Sequence, residues 1–238
     1  MAAAAATTAA AASGIDALAA HPSRKNNPET MKVLMINGSP RKGGNTDRML
    51  EEVASRLKEN GIDSEIVQIG TKPVRGCTAC GMCRKNGGKC VFDDDLCNAV
   101  LDKMAQSDAL IVGSPVYYGI PAGPVLSLIQ RMAYAGSAVM RDKPASVVTV
   151  CRRGGATSAF QTLQMPFQML SMPIVTSQYW NIGYGAAPGE VEMDKEGLQT
   201  MRTLADNMAY MLKQFQSGTA DKPVRERGEF TNFIRPED

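Results

Sequence analysis

The sequence predicts an α/β fold: a parallel sheet of five strands with helices on both faces. Three observations carry that expectation. Strand-like runs recur at Lys32–Asn37, Asp63–Gln68, Ala109–Gly113, Ala145–Val150 and Ile174–Ser177, with helical patterns between and after them. Such alternation is the signature of βαβ units joined by right-handed crossovers. The run Ala109-Leu-Ile-Val-Gly113 is continuously apolar, as a strand covered on both faces must be. The turns after the first, third and fourth strands are the richest in glycine and polar residues. With the default strand order 2-1-3-4-5, those three carboxyl ends meet at a topological switch point, where ligands bind in open sheets of this kind.

Residues 1–30 precede the first strand. They begin with Ala/Thr repeats, hold the chain's single histidine, His21, and end in a polar run. They lack the apolar core of a secretory signal and the Arg/Ser richness of a transit peptide, so a disordered or tag-like extension is expected. The body is then 31–216, and 217–238 is a tail.

The first strand runs straight into Gly38-Ser-Pro-Arg-Lys-Gly-Gly-Asn-Thr46. This loop offers backbone N–H groups, the hydroxyls of Ser39 and Thr46, the amide of Asn45 and the charge of Arg41 to the positive end of the helix that follows. Its spacing matches neither G-x-G-x-x-G nor G-x4-G-K-[ST], which favours a mononucleotide phosphate over a dinucleotide. An ordinary capped βα turn is the plain alternative. The helix, from about Thr46 to Asn60, carries Met49, Leu50, Val53 and Leu57 on one stripe, and Gly61 stops it.

After the second strand comes a cysteine-containing loop, 70–92, and then a helix expected to start at Asp93 and run to about Gln106. A loop at 114–124 leads into a helix over about 125–131. The turn Cys151-Arg-Arg-Gly-Gly155 opens a helix that Pro166 is expected to kink or break. A loop of glycines and prolines follows the fifth strand. The last helix, about 195–215, presents Leu198, Met201, Leu204, Ala205, Met208, Met211 and Leu212 at core spacing, so its methionines are packing residues.

Composition narrows the function. Lysines and arginines number 26 against 24 acids, a net charge of +2 without a basic block. Neither nucleic acid nor an anionic membrane is indicated as partner. No stretch approaches the roughly 20 apolar residues that span a bilayer. With His21 as the only histidine, histidine acid/base chemistry and a His-ligated metal are not expected.

Of six cysteines, four lie in Cys77-x2-Cys80-x2-Cys83-x6-Cys90. That crowding indicates metal-binding or redox thiols in a reducing compartment, the cytoplasm, rather than a disulfide framework. A [4Fe–4S] cluster takes such a set of four thiolates; a zinc ion or bare thiols remain open. Cys97 and Cys151 are expected to be buried as small hydrophobes.

Two loops strengthen one family resemblance. Gly38-Ser-x-Arg41 resembles the flavin-phosphate loop of the flavodoxin-like NADPH-dependent FMN reductases, and Ser114-Pro-Val-Tyr-Tyr-Gly119 resembles that family's flavin-ring loop. Ser177-Gln-Tyr-Trp-Asn181, Glu196–Thr203 and Thr231-Asn-Phe-Ile-Arg235 resemble a subgroup close to the iron–sulfur flavoproteins. The resemblance runs from Met31 to about Arg235. It implies a flavodoxin-like three-layer fold and bound FMN, its phosphate on Ser39, Arg41, Asn45 and Thr46. The ring would lie against Pro115, Val116, Tyr117, Tyr118 and Gly119 on one side and Arg152, Gly154 and Gly155 on the other. The two arginines at 152 and 153 could instead pair with an NADPH phosphate or remain solvated. Cys77, Cys80, Cys83 and Cys90 would hold the [4Fe–4S] cluster.

The implied activity is electron transfer from NAD(P)H through FMN to free flavin, a quinone or an iron–sulfur partner, with no protein acid or base required. The alternative is an electron carrier that exchanges electrons with ferredoxin and has no nicotinamide site; a non-catalytic flavin- or zinc-binding module is a third reading. Family members also imply a homodimer or homotetramer, with the cysteine loop and Gln178–Asn181 near a neighbour's flavin. Tyr179 and Trp180 covering their own subunit is the competing expectation.

Overall fold

The computed structural model describes residues 30–221, 224 and 226. The expectations for 1–29 and for Thr231–Arg235 lie outside these residues. In chain order the elements are β1 (Lys32–Asn37), α1 (Asn45–Glu59), β2 (Asp63–Gln68), α2 (Cys97–Ala105), β3 (Ala109–Tyr117), β4 (Ile120–Pro121), α3 (Gly123–Ala135), α4 (Ser137–Met140), β5 (Ala145–Cys151), α5 (Ala156–Met169), β6 (Ile182–Tyr184) and α6 (Lys195–Ser217). Five strands pair in parallel in the order β2-β1-β3-β5-β6, and β4 adds a short antiparallel pairing to the end of β3. The sheet thus has six strands rather than five, in the flavodoxin-like arrangement.

Strand alternation explains the layers. Within β1, Val33 and Met35 face one side and Leu34 and Ile36 the other, and all four are fully buried. The first side packs on α1 and α6 through Met49, Leu50, Val53, Leu204 and Met208. The second packs on α2, α3 and α5 through Leu101, Leu128, Leu163 and Phe167. Each of these side chains contributes about 1.5–3 kcal/mol by burial, so the two apolar layers hold the sheet between the helices.

Four departures from the sequence reading have local causes. The expected strand at 174–177 is reduced to an isolated bridge between Ile174 and Ala145, and the edge position is taken by β6. Asn181 is responsible. Its buried amide donates to Ser146 Oγ and Val147 O, both at 3.0 Å, and accepts from Ser177 Oγ at 2.7 Å, so the segment between bulges out of the sheet.

The loop expected at 114–124 begins as strand. β3 continues to Tyr117 and turns through Tyr118 (φ 51°) and Gly119 (φ 81°) into β4. Two central residues at positive φ give a turn whose twist matches that of the strands.

The helix expected from Asp93 begins at Cys97, because the three acids turn back to fasten the loop. Asp95 accepts from the backbone of Cys97 and of Arg75, both at 3.0 Å, and Asp93 accepts from Asn98.

Helix α5 runs through Pro166 to Met169 instead of breaking. Buried Leu163 and Phe167 anchor its final turns against the sheet, and Leu170 N–H bonds the Pro166 carbonyl at 3.2 Å. Proline removes one backbone donor near the helix end, which that packing outweighs.

Candidate functional site

The carboxyl ends of β1, β3 and β5 open onto one cleft of about 220 Å³. From the first loop it is lined by Ser39, Arg41, Asn45 and Thr46; from the second by Pro115, Val116 and Tyr117; from the third by Cys151 and Arg152. Eight of the twelve residues singled out from the sequence for cofactor binding therefore share a single wall system.

The first loop uses its own backbone donors internally, with Gly43 N–H on Asp47 Oδ2 at 2.7 Å, and leaves the start of α1 without a side-chain cap. Gly38 sits where a Cβ would meet the Gly113 carbonyl and the Val125 side chain at 2.8 Å, so only glycine lets the chain leave β1 at this angle. Ser39 is held from both sides: its N–H donates to Asn37 Oδ1 at 3.0 Å, and Gln68 Nε2 donates to its carbonyl. Its hydroxyl accepts from the Arg41 N–H at 3.2 Å. Gly44 precedes α1 in an extended conformation and supplies no side-chain cap. A missing cap costs about 1 kcal/mol, which the burial of Met49, Leu50, Val53 and Leu57 outweighs several-fold. The helix start is thereby left open to an anion. Arg41, in this loop, and Arg152, in the loop after β5, are exposed, line the cleft and make no ion pair among the described residues.

Asn45 lines the cleft, but its side chain is engaged. Nδ2 donates to Ala187 O at 2.9 Å, and Oδ1 accepts from Gly189 N–H at 3.0 Å. This clamp brings in a fourth wall that the sequence reading did not single out: Gly185, Ala186 and Pro188, after β6. A Cβ on Gly185 would stand 2.7 Å from Asn45 Nδ2, so the approach requires glycine. The glycine- and proline-rich composition of 183–189 was the available signal; it went unused because the edge strand was expected earlier.

Tyr118, Gly119, Gly154 and Gly155 do not line the cleft. Tyr118 points fully to solvent at the hairpin tip. Gly155, at φ 84°, lies so close to Gly119 that a Cβ would stand 2.6 Å from its Cα, and Ser158 Oγ donates to the carbonyls of both glycines. These residues lock the second loop to the third. Cys151 is buried at the cleft wall, and burial raises its thiol pKa. Tyr179 and Trp180 stack at 5.1 Å, tilted, and are 61% and 52% exposed outside the cleft.

The four clustered cysteines form a separate feature. Cys77, Cys80, Cys83 and Cys90 line one small cavity of about 30 Å³, closed by Phe92 and by Arg131 of α3. Left-handed residues wind the loop tightly, among them Ala79 at φ 53° and Gly81 at φ 69°. The Cys77 sulfur accepts from Ala79 N–H at 3.4 Å, and the Cys83 thiol donates to Tyr134 O at 3.6 Å. The Met82 backbone and the Thr78 hydroxyl lower the pKa of Cys80, whereas burial raises that of Cys83. For Arg131, burial acts to lower the pKa, but the Cys90 thiol beside it and the charge of Asp95 outweigh this and raise it. Among the described residues no three His, Cys, Asp or Glu side chains surround a single metal-ion position. The arrangement is four thiols around a shared cavity, not four sulfurs about one point. Cys97 is buried in the core as expected, its thiol pushed up to about 12 by burial.

Comparison with known proteins gives consistent results. The model of the family described as NADPH-dependent FMN reductase matches residues 31–187. An iron-sulfur flavoprotein of Methanocaldococcus jannaschii is 35% identical over 191 residues, covering 77% of this chain and 98% of that one. The structure of a Trp repressor binding protein from Bacillus subtilis superposes with a TM-score of 0.56 at 22% identity, over 72% of this chain and 99% of the other. A flavodoxin from the domain Archaea gives 0.52 at 16% identity, over 77% and 99%. These two structures bear on the fold alone.

Proposed function

The chain belongs to the NADPH-dependent FMN reductase family, and from that premise we propose an FMN-dependent oxidoreductase that takes electrons from NAD(P)H and delivers them to a small-molecule or iron–sulfur acceptor. The observation that carries the reading is the single cleft built from the loops after β1, β3 and β5. The wall from the first loop is cationic and rich in donors: the open start of α1, Ser39, Thr46 and Arg41. The walls from the other two loops are largely apolar, with Pro115, Val116, Tyr117 and Val150, and Arg152 adds a second guanidinium. A ligand with a phosphate at one end and a planar ring at the other fits both.

When bound, FMN supplies hydride and single-electron chemistry. The chain's own groups bind and orient. Ser39 and the α1 amides fix the phosphate, and Tyr117 with the Pro115–Val116 backbone borders the ring. The Asn45 clamp holds the 185–188 loop as a cover that keeps water from that side. No titrating side chain is asked to move a proton, because the flavin would carry the hydride and the electrons.

The four-cysteine cavity supports the further reading that this chain carries a [4Fe–4S] cluster. In such a cluster each thiolate binds a different iron, which suits four thiols spread around one cavity. The buried guanidinium of Arg131 in its wall suits a group of net negative charge. The same cavity, and relatives called iron-sulfur flavoproteins, favour a second reading: an electron carrier of the ferredoxin-linked kind, without a nicotinamide site. We also expect a homodimer or homotetramer, since the exposed Tyr179–Trp180 pair would otherwise stand in water.

Protein purified and reconstituted anaerobically would be assayed for FMN, iron, sulfide and zinc, for NADPH and NADH oxidation, and for mass by light scattering. NAD(P)H oxidation that scales with FMN content supports the reductase. Full flavin and iron without nicotinamide turnover overturns it in favour of the carrier. A fully active monomer would overturn the oligomer.

A further inference from the structure

Arg131 is the largest fully buried side chain among the described residues, at 1% exposure, and its partners explain only part of it. Nη1 pairs with Asp95, itself 3% exposed, and donates to the Arg75 carbonyl at 3.3 Å; Nη2 donates to the Phe92 carbonyl at 2.8 Å. These contacts tie the chain just before Cys77 to the chain just after Cys90, which is a sufficient structural role for the fork of the guanidinium.

They leave Nε over. Among the described residues Arg131 Nε is the one buried side-chain nitrogen or oxygen without a hydrogen-bond partner. An unused donor on a buried charge is costly, and a buried ion pair is a poor way to stabilise a loop that an apolar residue could fill. Arg131 borders the four-cysteine cavity, whereas Asp95 is not part of its wall. The positive end of the pair therefore faces the thiols and the negative end faces away.

We propose that Arg131 is the positioning residue of the four-cysteine cavity, its Nε–H and charge serving the sulfur of a negatively charged, thiolate-ligated group. The inference rests on the iron–sulfur reading above. Such a group becomes more negative on reduction, so a cation in its wall favours the reduced form and raises the potential.

The test compares anaerobically reconstituted holo-proteins: wild type, D95N, the double variant R131Q/D95N, and R131K. D95N keeps the guanidinium. The double variant removes it without stranding a buried carboxylate. The expected result is a midpoint potential in R131Q/D95N more negative than in D95N by at least about 59 mV, a tenfold change for a one-electron couple, with less iron retained per FMN. R131K, which keeps the charge but has neither the Nε–H nor the fork, should show a smaller fall in potential than the double variant and retain less iron than wild type. Equal potentials and iron contents in D95N and the double variant would reduce Arg131 to a loop fastener and overturn the proposal. Should the double variant fail to bind FMN, R131K decides: a fall in potential or in iron content relative to wild type supports the role, and wild-type potential with wild-type iron overturns it. Wild-type protein with full FMN but no iron or sulfide would instead overturn the cluster reading itself, and that outcome is read from composition rather than potential.

Discussion

The side-chain amide of Asn45 donates to the carbonyl of Ala187 at 2.9 Å across 142 residues of sequence. Through this one bond, with Gly189 N–H returning to Asn45 Oδ1, the loop after β1 and the loop after β6 become adjoining walls of one cleft. Replacing Asn45 with alanine should free the 185–188 loop. Flavin titration of the apo-protein should then show FMN binding weakened about tenfold, the equivalent of roughly 1.4 kcal/mol. An unchanged dissociation constant would mean that this wall does not cover the ligand.

Ser39 tests the phosphate end. A hydrogen bond to a charged group is worth about 1.5–3 kcal/mol, so Ser39→Ala should weaken FMN roughly 10- to 150-fold. Riboflavin lacks the phosphate and serves as the control, because the variant also loses the Arg41 N–H bond to Ser39 Oγ. Parallel titrations showing the same loss for both ligands would assign Ser39 a purely structural part.

Gly155 tests the lock between loops. At φ 84°, and with a Cβ position 2.6 Å from Gly119 Cα, alanine should cost about 1–3 kcal/mol in backbone strain and displacement. For a chain of this size that is a fall in melting temperature of about 2–4 °C per kcal/mol. A variant that melts with the wild type would show the contact to be dispensable.

The clamp between α1 and α6 should be acid-sensitive. Glu52 joins Arg48 to Arg202. Burial acts to raise its pKa, but the hydrogen bonds from Arg202 and Arg48 outweigh this and hold the carboxyl below its usual 4.5. A depressed folded-state pKa stabilises the protein above about 4.5 and loses that contribution as the pH falls through the folded value. Glu52→Gln should therefore melt below the wild type at pH 7, with the gap closing in acid. A gap of constant size across a series of thermal melts from pH 7 to pH 3 would contradict this.

Much of the fold was legible because it is written in short-range periodicity. The alternation in β1 and the stripe Met49-Leu50-Val53-Leu57 state which faces are apolar, and an apolar face must find another. The loop after β1 was legible for the same reason: glycine at 38 and the Ser39–Thr46 donors lie together in sequence and stay together in space.

Where the sequence misled, a distant partner decided. Asn181 looks like any turn residue, yet its amide meets Ser146 and Val147, and that moves the edge strand from 174–177 to 182–184. The acids at 93–95 resemble a helix start, yet Arg75, Asn98 and Arg131 claim them for the cysteine loop.

By itself, then, the sequence determined the parallel sheet, its two apolar layers, the glycine-rich loop after β1 and the spacing of four thiols, because each is a pattern among near neighbours. Tertiary structure alone decided that the Asn45 amide would clamp the loop after β6 and that Arg131 would be buried against the thiols with one donor unused. Side-chain type fixes how many hydrogen bonds a group can make. Which of them remain available depends on atoms brought close only when the sheet closes over them.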